Sequence, residues 1–440
     1  MKLIDWLRPG MGIKRWGILA VLGIVCISFG LSFILGSIYR SILENIFSFL
    51  LIISGCIFIF LSIKYLFETF LYVVYGRYFK ISLDADRLSN LLYEKRILIK
   101  GPKIVTIGGG TGLSTMLRGL KAYSSNITAV VTVADDGGGS GELRQDLGIL
   151  PPGDIRNCIM ALADTEPIME ELMQYRFNDG KLKGQSFGNL FLAAMDGVFG
   201  SFEEAVKKMS DVLAVTGRVL PVTLNDITLC AELEDGEIVF GETNIVKEAV
   251  SRKSKIKRVY LNQDNVKPVD EVIEAIGEAD IIILGPGSLF TSVIPNLLVA
   301  GVCEALKKST AKKVYICNVM TQPGETDNFT LCDHIDALEK HSYIGIIDYC
   351  IINTKDVPDN MREKYLNDGA DIVKYDLEEL KRREIEAICD SYLGIEKGFI
   401  RHDSKKLACS IMALIADAVL AKDKKRILDY FYIKERLKKR

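Results

Sequence analysis

Two apolar runs dominate the start of the chain. No residue is charged between Trp16 and Tyr39, and a second uncharged run extends from Ile46 to Ile63. As helices, each reaches across roughly 30 Å of hydrocarbon. A cleaved leader accounts for one such run but not for two separated by a short polar break. The pattern therefore predicts a transmembrane hairpin within residues 1–76, with helices over 16–39 and 46–63. Lys2, Arg8, Lys14 and Arg15 precede the first run, and Lys64, Arg77 and Lys80 follow the second, whereas the turn holds only Arg40 and Glu44. The positive-inside rule then puts both termini and the main domain on the cytoplasmic side of a multi-pass cell-membrane protein.

After a mixed, charged connector over 77–102, the pattern changes to strand–loop–helix from 103 to 421. "KIVTIGG" and "NITAVVTVA" are apolar runs ending in glycine or aspartate, and a helical pattern from Ser114 to Lys121 lies between them. "RVLPVTL", "IKRVYL", "ADIIILG", "KKVYICNV" and "DYCIIN" are further buried-strand candidates, with helical stretches such as Asn296–Lys308 in between. Near-continuous Val/Ile strands alternating with helices predict an α/β, Rossmann-like, mostly parallel sheet covered on both faces. "ITLCAELEDGEIVFGE" instead predicts a hairpin turning at Asp235-Gly236. Residues 422–440 hold nine Lys/Arg and three acids and read as a solvated basic tail, with attraction to an anionic leaflet as the sharper reading.

Composition narrows the chemistry. A formal charge of -2 gives no basic field for nucleic acid. Ten cysteines without a C-x-x-C pair predict free thiols in a reducing compartment, and three unclustered histidines argue against zinc. What remains is a set of polar loops, each just after a predicted strand, where open α/β sheets bind ligands. In "TIGGGTGLS", Gly109, Gly110, Thr111 and Gly112 form a generic phosphate turn, or only a tight strand–helix turn; the spacing fits neither a P-loop nor a dinucleotide fingerprint.

"VTVADDGGGSGELR" puts Asp135 and Asp136 where ribose hydroxyls or Mg²⁺ are read. Gly137 and Ser140 then belong to an amide nest, with Arg144 as a phosphate contact, against the plainer reading of an acidic turn. In "LPPGDIRN", Asp154 is expected to cap the following helix, whose first turn holds Arg156 and Asn157. Gly188 and Asn189 in "KGQSFGNLFL" open another helix. Gly285, Gly287 and Ser288 in "ILGPGSLFTSVIPN" form a positional candidate for a diphosphate, with Asn318 on the equivalent rim after the next strand. No general-base histidine or nucleophilic cysteine accompanies these loops, so any catalysis would run by positioning, an aspartate and a metal.

These five stretches, in order over Lys103–Ala421, resemble the gluconeogenesis factor family (the YvcK type), within the wider group typified by the phospholactate transferase of deazaflavin-cofactor biosynthesis. The resemblance implies a UDP-sugar-binding protein, notably for UDP-N-acetylglucosamine, that regulates cell shape and envelope-precursor supply on gluconeogenic carbon. It maps Gly109 to Gly112 onto the first nucleotide loop, Asp135 and Asp136 onto the acidic pair, and Asn189 and Gly287 onto later binding loops. Expected partners are a UDP-sugar or related nucleotide diphosphate, the membrane and envelope-synthesis proteins, with self-association open and no nucleic acid. Mg²⁺ on Asp135 and Asp136 is the candidate cofactor, and no organic cofactor is expected. A regulator without turnover is favoured. A Mg²⁺-dependent transferase drawing on a nucleotide diphosphate donor is the alternative, and a membrane-bound scaffold the third reading.

Overall fold

The computed structural model describes residues 13–35, 42–75, 98–99, 101–396, 398–422 and 426–438. The connector, apart from its last few residues, and the flanking cations Lys2, Arg8, Arg40, Arg77 and Lys80 lie outside the described residues. Two units result, Met1–Leu91 and Leu92–Arg440.

In the first unit, helices Ile13–Leu35 and Ile42–Tyr75 pack along one another. The second is longer than its uncharged run predicts, because "LFETFLYVVY" after Lys64 is apolar but for one acid and one threonine. Small residues let the backbones meet: a Cβ on Gly55 would lie 2.6 Å from the Gly23 carbonyl oxygen, and one on Gly30 2.9 Å from that of Ser48. Ser62 Oγ donates to the Trp16 carbonyl at 2.6 Å, and Trp16 stacks on Tyr65 at 4.3 Å. The outward faces expose Ile18, Phe29, Phe49 and Phe60. Both helices are long and apolar enough to cross a membrane. Gly55→Leu is expected to part the pair. A Trp16→Cys/Tyr65→Cys chain should cross-link readily on oxidation, and adding Gly55→Leu should cut that yield severalfold.

In the second unit, seven parallel strands form one sheet in the order β10-β9-β8-β7-β1-β2-β3. They are β1 Ile104–Gly108, β2 Ile127–Val131, β3 Arg218–Pro221, β7 Ile281–Leu284, β8 Lys312–Ile316, β9 Tyr349–Asn353 and β10 Glu386–Asp390. β1, β2 and β7 are buried at every residue, as strands covered on both faces must be, whereas edge strand β10 is mostly open. The chain leaves β1 towards β2 and β3, then returns to β7 on the other side of β1 and continues outwards. β1 and β7 therefore flank the topological switch point, where their carboxyl-end loops diverge and leave a crevice.

β4 Leu229–Leu233 and β5 Ile238–Phe240 form the hairpin, but "IKRVYL" does not join the parallel sheet. As β6 Ile256–Leu261 it pairs antiparallel with β4, because Lys257 and Arg258 need the exposed positions where Glu232 meets them. β11 Leu393–Glu396 and β12 Phe399–His402 make a separate antiparallel pair. The helix expected over Asn296–Lys308 is broken. Leu289–Leu297 and Val302–Lys308 meet at 75°, with Gly301 at φ 83 between them. The basic segment is also more than a solvated tail, since helix Ile427–Lys438 packs on helix Ser404–Ala418 with Ile433 buried, and Arg426 pairs with Asp280. All ten cysteines are free.

Candidate functional site

Helix Gly110–Leu120 begins directly after β1, four residues earlier than its apolar pattern suggests, so Thr111 and Gly112 lie in its first turn. Gly110 adopts φ +70, a left-handed backbone that favours glycine. Its N–H donates to Asp154 Oδ2 at 2.6 Å. Asp154 is therefore not the helix cap that its sequence position predicts. Pro152 takes that place, and the carboxylate reaches across to the first glycine loop. Gly112 meets the β7 loop, where a Cβ would lie 2.7 Å from the Pro286 carbonyl oxygen. Gly112→Ala should push the two loops apart and destabilise the unit by about 1–2 kcal/mol in a denaturant titration, as overpacking does.

A cavity of about 400 Å³ opens between these loops, and Gly110, Thr111, Gly112, Gly287, Ser288 and Asn318 are among its walls. Asn318 Nδ2 donates to the Gly287 carbonyl at 2.8 Å, and Gln322 Nε2 to Ser288 Oγ at 2.8 Å, tying the loop after β8 to the loop after β7. The opposite wall comes from a region that the strand-end reading passed over: Tyr365, Phe399, Arg401 and His402. Tyr365 Oη accepts the Ile400 N–H at 3.0 Å, and His402 Nε2 donates to the Cys317 carbonyl at 3.1 Å. Arg401 is the one Lys or Arg among the described lining residues. A polar pair after the Gly398 turn, just ahead of the helix capped by Asp403, was the available signal.

The remaining expected residues lie away from that cavity's lining. Helix Gly138–Leu147 starts inside the glycine run, so Gly138 to Gly141 form its first turn. Asp135 Oδ1 accepts the Gly137 N–H at 2.8 Å. Asp136 Oδ1 accepts both the backbone N–H and the hydroxyl of Thr243, at 2.9 and 2.8 Å, and so anchors helix Glu242–Arg252. Arg144 is tied to Asp226 and to the Ile227 carbonyl. Asn157 sits half-buried early in helix Gly153–Leu162, Gly188 and Asn189 open helix Phe187–Phe199, Gly109 packs behind Gly110, and Gly285 closes β7.

Four carboxyls gather behind the loops. Burial, then Asp135, push Asp154 up to about 6. Burial likewise raises Asp135. It holds Glu242 well above the usual range, assisted by Asp135, Asp154 and Glu325. Glu325, 6 % exposed, is pushed up to about 7 by burial. Its Oε1 accepts from the Thr291 hydroxyl at 3.3 Å and its Oε2 is buried without a hydrogen-bond partner, while the nearby amides of Phe290 and Thr291 only partly offset the burial. A buried carboxylate thus backs the helix start where a diphosphate was expected. No local sequence pattern marks Glu242 or Glu325, because only the fold brings Glu242 near Asp135, Asp154 and Glu325. Among the described residues, no three acids, histidines or cysteines are placed to hold a metal ion.

Residues 104–393 match the family profile of 2-phospho-L-lactate transferase CofD. The gluconeogenesis factor of Bacillus subtilis is 50% identical over 317 residues, covering 72% of this chain and 99% of that protein. A Clostridium acetobutylicum relative bearing the gluconeogenesis factor name is 52% identical over 440 residues, covering 100% of this chain and 97% of its own. The crystal structure of a Bacillus halodurans protein, 48% identical, superposes with TM-score 0.69 over 71% of this chain and 99% of that one. The fold, the order of the glycine loops and these relatives agree: the chain belongs to the gluconeogenesis factor family and carries a CofD-like domain.

Proposed function

We propose that this chain is a membrane-anchored regulator whose cytosol-facing domain binds a UDP-sugar, with UDP-N-acetylglucosamine as the leading ligand, and signals envelope-precursor supply to the machinery that sets cell shape. The observation that carries the reading is the cavity at the β1/β7 switch point. The glycine loops after β1 and β7, Thr111, Ser288 and Arg401 line it, a polar set that suits a diphosphate joined to hydroxyl-rich groups. Anchorage rests on the two apolar helices, and their orientation on the flanking cations. Envelope-synthesis proteins are the partners this reading supplies.

Titration calorimetry of the full chain in detergent micelles tests it, with UDP-N-acetylglucosamine in the presence and absence of Mg²⁺. Saturable binding is expected, and no heat under either condition would sink the reading. A second reading has its own observation: the CofD profile matches residues 104–393, over which several desolvated carboxyls gather. There the chain transfers a phosphate-linked group from a nucleotide diphosphate. Asp135, whose Oδ2 lies towards Gly153 and Ser140, would help to hold Mg²⁺ better than Asp136, which is committed to Thr243. The ion would supply charge neutralisation at the donor phosphates. Nucleotide released on adding an acceptor would favour this second reading.

A further inference from the structure

Helix Gly153–Leu162 carries a guanidinium that the protein does not neutralise. Arg156 is 8 % exposed, and its Nε is buried without a hydrogen-bond partner. Asp154, two residues earlier, is the one carboxylate that acts on it, at the level of through-space attraction, while Arg176 opposes its charge. Its stem lies along the start of helix Phe187–Phe199, where a Cβ on Gly188 would come within 2.5 Å of Arg156 Cδ. Burying such a charge without a hydrogen-bonded partner is costly.

Two further orphans lie on that helix start. Asn189 is 4 % exposed and Gln185 6 % exposed, and Oδ1 of the first and Oε1 of the second have no partner. Gln185 cannot turn its amide to escape, because its Nε2 donates to Glu142 Oε2 at 2.6 Å. Its Oε1 would lie 2.8 Å from a Cβ on Gly139, so it faces the first turn of helix Gly138–Leu147. That helix and helix Gly153–Leu162 both pack on helix Phe187–Phe199. Three helix N-termini therefore meet here, a setting that favours an anion. The rim is open at Gly138, which is exposed.

We infer that Arg156, Asn189 and Gln185 form a binding subsite for a small hydroxylated anion, a phosphomonoester or carboxylate carrying free hydroxyls. The guanidinium takes the anionic group. The two amide oxygens accept from hydroxyls, which the anion's carbon skeleton supplies. None of the three lines the nucleotide cavity, and Asp154, bonded to Gly110, stands between Arg156 and the first glycine loop. The subsite does not depend on the nucleotide reading.

Glycerol 3-phosphate is the probe, titrated into the full chain in zwitterionic micelles, with inorganic phosphate and glycerol in parallel. The native chain should bind glycerol 3-phosphate saturably, at least fivefold tighter than inorganic phosphate, and should not bind glycerol. Arg156→Gln and Asn189→Asp should each weaken binding at least tenfold. The second keeps the side-chain shape and adds a carboxylate on the helix start against which the Arg156 stem lies, so its melting temperature should hold or rise. Equal affinity in the native chain and a folded variant, or no saturable binding by the native chain, overturns the subsite. So does binding of dioctanoyl phosphatidic acid in preference to glycerol 3-phosphate, which would assign a lipid headgroup instead. A UDP-N-acetylglucosamine titration of the same native sample separates the two proposals, since its failure bears on the proposed function and leaves this subsite standing.

Discussion

Arg401→Ala will bind UDP-N-acetylglucosamine about 10- to 100-fold more weakly than the native chain, the loss expected when a charge-assisted pair worth about 1.5–3 kcal/mol is removed. The size follows from the composition of the cavity. Its glycine loops offer amides and its rim hydroxyls and carboxamides, but Arg401 is the one full positive charge among the described lining residues. The guanidinium is also held in place. Its Nη1 donates to the Ile400 carbonyl at 3.0 Å, and it lies over the Phe399 ring at 5.5 Å. Arg401→Lys keeps the charge but not the planar fork and should recover part of the affinity. Calorimetry on the three chains decides it. Equal affinities would mean that the diphosphate lies elsewhere.

Arg401 also marks where sequence reasoning stops. The central strands were readable because each is a short apolar run closed by glycine or aspartate, and the loops after β1 and β7 carry their glycines where the switch point places them. Close approach could be read in part: Gly112 is a glycine because the Pro286 carbonyl comes so near. What could not be read was the set of distant partners. "IKRVYL" has the composition of a core strand, and only its pairing with β4 shows why Lys257 and Arg258 are tolerated. Asp136 and Asp154 are short-range turn residues by position, yet they bond to Thr243 and Gly110, contacts 107 and 44 residues away. β12 and Glu325 join the site by tertiary packing that no local period encodes.

Glu325→Gln should abolish much of the loss of stability that the second unit shows between about pH 5 and pH 8. In the folded chain the carboxyl is pushed up to about 7, against an ordinary value of 4.5, because burial disfavours its charge. The folded state therefore binds this proton more tightly than the unfolded state. The group's contribution is fully present below its unfolded value and is lost as pH rises through its folded one. A rise of that size corresponds to roughly 3 kcal/mol at the alkaline end. Asp154, pushed up to about 6, acts with the same sign over a lower window.

The histidines act in the opposite direction. His334, His341 and His402 are all held neutral by burial, with His402 lowered to about 4. Their contribution is present above their ordinary value of 6.5 and is lost as pH falls towards the folded one. The native chain should thus lose stability on both sides, and Glu325→Gln should lift only the alkaline limb. The substituted amide oxygen can still accept from the Thr291 hydroxyl, so that contact is kept. Urea titrations at pH 5, 6, 7 and 8 measure the difference. If the variant instead runs parallel to the native chain across that range, the Glu325 carboxyl is ionised throughout, and its place against the Thr291 turn is that of an ordinary helix-capping anion.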